Sequence, residues 1–350
     1  MTSTDALVLD YRRVQARRTT VLAGLAAAVV ALAGADLVTG PSAMTVPDAL
    51  AALLAGPAGE DRLAATILWA IRLPTTAMGA LVGAALGLAG LQMQTILANP
   101  LASPFTLGFS AAAGFGAALA IMFGSAMPLP GWLAAPVLAF AAVLVAAGLI
   151  HAMARLRGAD TEVLVLAGIA VMFMFQALQS MLQYLASPEV LQQIVFWLFG
   201  SLLKATWTSV AVLGTVLAVA LPAVARDAWR LTALSLGDVH ARSLGVDVDG
   251  LRRRGFVLVA LVTAAAVAFV GTIGFVGLVA PHAARALVGE DQRTLIPAAA
   301  LAGAVTLLAA SVLAKLVGGG AVIPIGIVTA LVGVPILFTL VLRRARAGAP

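Results

Sequence analysis

Apolar positions in this chain neither alternate nor recur at a simple helical spacing. They run on without interruption, as in "VLAGLAAAVVALAGA" (21–35). A stretch of about 20 such residues is long enough to cross a bilayer as a helix, and in lipid the backbone must satisfy its polar groups inside the segment. A transmembrane barrel would instead alternate over segments of about ten residues. The runs predict spans near 19–40, 73–95, 105–126, 132–153, 162–185, 207–224, 255–271, 273–288, 295–316 and 323–342. Between the second and third lies "NPLASP", where Asn99-Pro100 and Ser103-Pro104 each bias the residue before proline away from helix. The chain is expected to turn there and restart a helix at Phe105. The stretch 255–288 reads either as one long helix or as two short passes broken among Gly271, Gly274 and Gly277.

Charge decides between these readings. With the amino terminus inside, the inner segments hold Arg12, Arg13, Arg17, Arg18, Arg155, Arg157, Arg226, Arg230, Arg242, Arg252, Arg253 and Arg254. The outer segments hold only Arg62, Arg72, Lys204 and Lys315. Two passes across 255–288 keep Arg285, Arg293 and the terminal "RRARAGAP" inside as well, in accord with the positive-inside bias. The expectation is an all-α integral membrane protein of about ten transmembrane helices. It forms one transmembrane domain over 1–350 with a 19–342 bundle and both termini cytoplasmic.

Composition agrees. The chain is 62% hydrophobic and 10% charged, against about 25% charged for soluble domains, so its solvent is lipid. The net charge of +6 flanks the spans and reports topology; it does not point to nucleic acid. Abundant Ala and Gly suit close helix packing in membranes. No cysteine is present, which excludes disulfides and thiolate metal sites. Ala33-Gly34-Ala35 resembles a signal-peptidase site behind an Arg-rich start, but an uncleaved first span is the expected reading.

Two segments outside the spans carry candidate chemistry. The outer 41–71 contains "VPDALAALLAG", a short amphipathic helix. The inner 225–254 contains "LGDVHARSLGVDVDGLRRR", two helix-sized pieces separated at Leu244-Gly245. It has an apolar side (Val239, Leu244, Val246, Val248, Leu251) and a polar side with Asp238, Arg242, Asp247 and the Arg252–Arg254 cluster. A stop-transfer loop needs only basic residues, so this patterning favours a docking element for a cytoplasmic partner. Within the fifth span, Gln176, Gln179 and Gln183 share a helical face, which either lines a watery path or bonds to neighbouring helices. His151, His240 and His282 have no neighbour at metal-ligand spacing, so no metal site is assigned. No G-x-x-x-x-G-K-[ST] phosphate loop exists, so any ATP and its Mg belong to another chain. Acidic residues lie in termini and loops, with Asp36 near an outer end, which argues against an ion-coupled secondary transporter.

Several stretches resemble the FecCD permeases, membrane subunits of bacterial type II ABC importers for iron–siderophore, haem and vitamin B12. They are "IRLPTTAMGALVGAALGLAGLQMQTILANPLASPFTLGFSAAAGFGAAL", "LSLGDVHARSLGV", "GFVGLVAPHAAR" and "IPIGIVTALVGVPILFTLVLRR". The resemblance implies a cytoplasmic-membrane permease for an iron–siderophore complex, with haem or cobalamin as alternatives. It implies a homodimer with its path at the dimer interface, two ATP-binding subunits, and a periplasmic or lipid-anchored binding protein. It places ATPase coupling at Asp238, Arg242, Gly245 and Val246, and the inner gate near Thr161 and Glu162, with the Gln176/Gln179/Gln183 face above it. It makes Asn99, Pro100 and Pro104 a structural inner turn, and gives Arg72 and Lys315 to docking of the binding protein. The chain departs from the family's pattern at Thr75, at Ser311 and Lys315, and at Val322.

Overall fold

The computed structural model describes residues 3–42, 44–157, 161–318 and 322–347. Its elements follow the apolar runs. The outer loop holds α2 (Val46–Ala55), after α1 (Ser3–Val38) and before the short α3 (Arg62–Ala65). The second span is α4 (Leu73–Ile96), entered through a π-helical stretch over Thr66–Arg72. Then come α5 (Phe109–Phe123), α6 (Gly131–Arg157), α7 (Thr161–Leu185), α8 (Pro188–Leu198) and α9 (Trp207–Arg226). Two short helices, α10 (Ala228–Leu234) and α11 (Asp238–Ser243), lead to α12 (Val248–Val270), α13 (Val276–Val288), α14 (Gln292–Val317) and α15 (Ile325–Ala347). The expected amphipathic outer helix is α2 (Val46–Ala55), whose start is fixed by a capping box between Thr45 and Asp48.

Among the described residues, eight helices are long and apolar enough to cross a membrane. The 255–288 region divides into two helices of unequal length. The helix α12 is full length, whereas α13 has 13 residues, about 20 Å of helix. Gly271 at φ +77 and Phe275 at φ +66 form the break.

Three boundaries differ from expectation. The helix α1 starts at Ser3 rather than near 19, because nothing in "STDALVLDYRRVQARR" breaks a helix. The third span starts at Phe109, not Phe105. A turn in which Ser103 and Thr106 exchange bonds between side chain and backbone intervenes, and Gly108, at φ +82, lies so close to Met172 that a Cβ would sit 2.7 Å from its Cα. The outer segment 186–206, between the fifth and sixth predicted spans, forms α8, capped by Ser187 and opened by Pro188. The Glu189 carboxylate accepts from its own backbone N–H and from Ser187 Oγ, which holds its pKa below the usual value.

The centre of the bundle is α4. In the α4 span 78% of residues are buried, against 6% in α1. Glycines make that burial possible. A Cβ on Gly83 would lie 2.3 Å from Gly303 O, one on Gly87 2.3 Å from Ala299 O, and one on Gly90 1.7 Å from Gly277 O. The backbones of α4, α13 and α14 therefore touch directly, the close approach that small residues permit where lipid gives no hydrophobic drive between helices. Gly83→Val forces these backbones apart. It should destabilise the bundle by at least about 2 kcal/mol, read as a lower melting temperature in detergent. Gly24→Ala, which meets nothing within 4 Å, should melt like the parent chain.

Candidate functional site

The Arg-rich end of the bundle, called inner, carries α10 and α11. Gly237 at φ +104 admits α11, and Gly245 at φ +78 ends it. Gly245 N donates to Arg242 O at 3.0 Å and Val246 N to Ala241 O at 3.0 Å, the paired bonds of a Schellman cap that needs a left-handed residue at Gly245. Asp247 Oδ1 then accepts from Gly250 N at 2.9 Å and starts α12. The gap at Leu244-Gly245 is thus a built hinge between α11 and α12.

The apolar side expected of this loop divides in two. Val246, Val248 and Leu251 turn inward and join the core. Leu236, Val239 and Leu244 stay outside at 64%, 80% and 54% exposure. Three exposed aliphatic side chains beside charged ones, at the polar end of a membrane protein, form a surface suited to a protein partner. Leu236 lies outside the residues singled out from sequence. Its neighbour Gly237, whose positive φ turns the chain there, is the signal that could have found it.

Of the coupling residues expected from sequence, Asp238, Arg242 and Gly245 lie at this surface, while Val246 is buried beneath it. Arg242 pairs with Asp249 at 3.2 Å, and both are about half exposed, a weak tie by itself. Asp238 turns inward to the buried Arg252, whose two terminal nitrogens reach its two carboxylate oxygens at 2.8 Å each. Thr161 opens α7 close by, with Glu162 exposed beside it.

Higher on α7 the three glutamines part company. Gln176 is exposed, Gln183 half-buried, and Gln179 packs on α5, where a Cβ on Gly114 would lie 2.3 Å from its Oε1. Leu166, Phe173 and Met181 add exposed apolar side chains to α7, and Ser180 is exposed among them.

The outer end contains two cavities. One, of about 1100 Å³, is lined by Trp132, Gln192, Gln193, Trp197, Lys204 and Thr206, among others. The other, of about 400 Å³, adjoins it at Phe196, Trp197 and Lys204 and runs to Ser311, Lys315 and Pro324. Arg72 and Lys315 were expected as outer surface charges, but the structure places both inside. Arg72 donates to Leu37 O and Ser42 O at 2.5 Å each and to Ser42 Oγ at 2.9 Å. Lys315 Nζ lies 2.7 Å from Asp36 Oδ1, with side chains 6% and 0% exposed. Asp36 also accepts from Thr76 Oγ1 and Ser311 Oγ, at 2.5 and 2.7 Å. The acid at the end of an apolar helix had to find a cation, and the carbonyls of 37–42 had to find donors; that demand draws both cations inward.

Such a bundle, with a charged helical hinge at one end and aromatic cavities at the other, defines a membrane permease. The chain matches the FecCD transport family over residues 14–343. It is 38% identical over 289 residues to the cobalamin import system permease protein BtuC of Halobacterium salinarum, covering 82% of this chain and 76% of that one. To the vitamin B12 import system permease protein BtuC of Klebsiella pneumoniae it is 38% identical over 281 residues, covering 80% and 84%. A solved inward-facing structure, described as of "metal-chelate type ABC transporter", superposes with a TM-score of 0.78 at 31% identity, covering 93% of this chain and 99% of the other. The chain belongs to the FecCD family and is a multi-pass permease of the ABC importer class, in which ATP hydrolysis lies in a separate subunit.

The buried pair at the outer end makes a direct prediction. Asp36→Asn leaves the Lys315 charge without its counter-ion and should cost about 3–5 kcal/mol, measured by denaturant titration in detergent. The double variant Asp36→Leu/Lys315→Met should recover most of that loss.

Proposed function

We propose that this chain is the membrane subunit of an importer of a metal chelate. It works as a homodimer with two ATP-binding subunits and takes cargo from a binding protein on its outer side. The observation that carries the reading is the inner surface of α11, where Leu236, Val239 and Leu244 stand exposed beside Asp238 and Arg242 around a Schellman hinge. A cytoplasmic ATPase subunit covers that surface, and ATP and Mg bind to that subunit rather than to this chain. Both termini face the cytoplasm, in keeping with the Arg bias. Exposed apolar faces on α7 (Phe173, Met181) and α15 (Leu331, Phe338) meet the second copy. Between the copies run the path past Gln176 and Gln183 and the inner gate near Thr161 and Glu162.

Cargo enters through the outer cavities. The named relatives support a cobalamin over the iron–siderophore or haem also compatible with the family. Steering of an acidic binding protein falls to the exposed outer cations Lys204 and Arg62, because Arg72 and Lys315 are engaged in holding the outer end of α1.

Proteoliposomes containing the chain, its ATPase subunit and its binding protein should accumulate cyanocobalamin only with ATP. Uptake of a ferric siderophore and not of cyanocobalamin would reverse the cargo assignment. The chain alone should hydrolyse no ATP.

Gly245→Pro removes the N–H that bonds Arg242 O and excludes φ +78. It should insert normally and lose most binding to the ATPase subunit, read by co-purification. Unchanged co-purification would move the docking surface away from this hinge.

A further inference from the structure

Arg252 stands in the first turns of α12 with a side chain only 4% exposed, and it joins three other elements. Its Nε donates to Ile96 O, at the end of α4, at 2.9 Å. Nη1 and Nη2 grip both oxygens of Asp238, the first residue of α11, at 2.8 Å. Nη2 also donates to Thr161 Oγ1, on the first residue of α7, at 3.3 Å. A guanidinium is a rigid plane, so these bonds cannot change independently.

Their strengths are graded. The Ile96 carbonyl belongs to the most buried span, held by backbone-to-backbone glycine contacts, and is the fixed point. The Asp238 pair is charged and bidentate, so the plane follows α11. The bond to the half-buried Thr161 hydroxyl is longer and neutral at one end; it is the contact that yields. Displacement of α11 therefore turns the guanidinium about its bond to Ile96 O and makes or breaks its bond to the start of α7, which holds or frees that end of the helix.

We propose that Arg252 is a positioning residue that transmits movement of α11 to the amino-terminal end of α7, so that docking-helix displacement opens or closes the inner gate. This rests on the importer reading above, in which α11 takes the ATPase subunit and α7 borders the path. The residue types fit the task. Lysine has one nitrogen and cannot hold Ile96 O, both Asp238 oxygens and Thr161 together, and a valine at 161 keeps the shape of threonine but accepts no bond.

The test uses the complete complex of permease, ATPase subunit and binding protein in nanodiscs and proteoliposomes. The chain has no native cysteine, so single labels at Val239→Cys on α11 and Glu162→Cys on α7 report separately. In the parent complex both labels should shift their spectra between nucleotide-free and ATP-bound states. In Thr161→Val the label at 239 should still shift while that at 162 does not, and ATP consumed per cargo molecule should rise about tenfold. Thr161→Ser, which restores the hydroxyl, should restore both. Arg252→Lys should uncouple the two labels in the same way. Should that variant fail to assemble, the threonine variants alone decide.

A Thr161→Val complex whose label at 162 shifts as in the parent, with ATP per cargo within about twofold of it, overturns the link and leaves the importer reading standing. Absence of any nucleotide-dependent shift at 239 in the parent complex overturns both.

Discussion

A polypeptide in lipid has no water to bond its N–H and carbonyl groups, so wherever a helix breaks inside the bundle some other part of the chain must supply partners. The break between α12 and α13 shows how completely this governs the fold. Ser201 N donates to Val270 O at 2.7 Å, and Thr272 Oγ1 donates to Leu198 O. Ile325 N and Gly326 N donate to Gly200 O and Phe199 O at 3.2 and 3.0 Å. The end of α8, the break and the start of α15 are thus knotted into one polar node. Glycines at 200, 271 and 326 are required there, since a Cβ on any of them would meet a neighbouring carbonyl oxygen within 2.6 Å.

Charges obey the same rule. The helix α1 buries little surface and is held near its two membrane boundaries by polar bonds. At the inner end Arg18 reaches Val288 O at 3.1 Å and Asp291 at 2.9 Å. At the outer end Asp36 collects Lys315, Thr76 and Ser311. Ion pairs between such distant parts of the chain add little net stability where water is present. Where they are buried, losing one partner is expensive, so they act as locks on register.

The central seam and the inner hinge divide the labour of a permease between them. Gly83, Gly87 and Gly90 weld α4 to α13 and α14, which leaves a rigid body with little freedom to deform. The short helix α10 buries Leu231, Ala233 and Leu234, whereas α11 attaches through turns and a few polar contacts, Asp238–Arg252 at 2.8 Å and Arg242–Asp249 at 3.2 Å. Elements tied by few contacts are those that move, and they lie at the end where an ATPase subunit is proposed to act.

What the sequence determined by itself was the solvent and the helical type and approximate places of the long spans. Each follows from local chemistry: apolar runs long enough to cross a bilayer, proline at 100 and 104, and basic residues beside the spans. The Gly245 hinge was legible for the same reason, because a left-handed cap is a property of a few consecutive residues. The tertiary structure alone decided where long side chains end. Arg72 and Lys315 look like surface cations in sequence and became buried partners of the Leu37 and Ser42 carbonyls and Asp36, while Gln179 turned from its shared face onto Gly114. Arg252 reads as one arginine of a basic triplet, yet it is the one driven inside to meet Ile96, Asp238 and Thr161. Periodicity reports which face of a helix a residue occupies; it does not report which distant polar group must be satisfied there, and in a low-dielectric interior that demand sets the outcome.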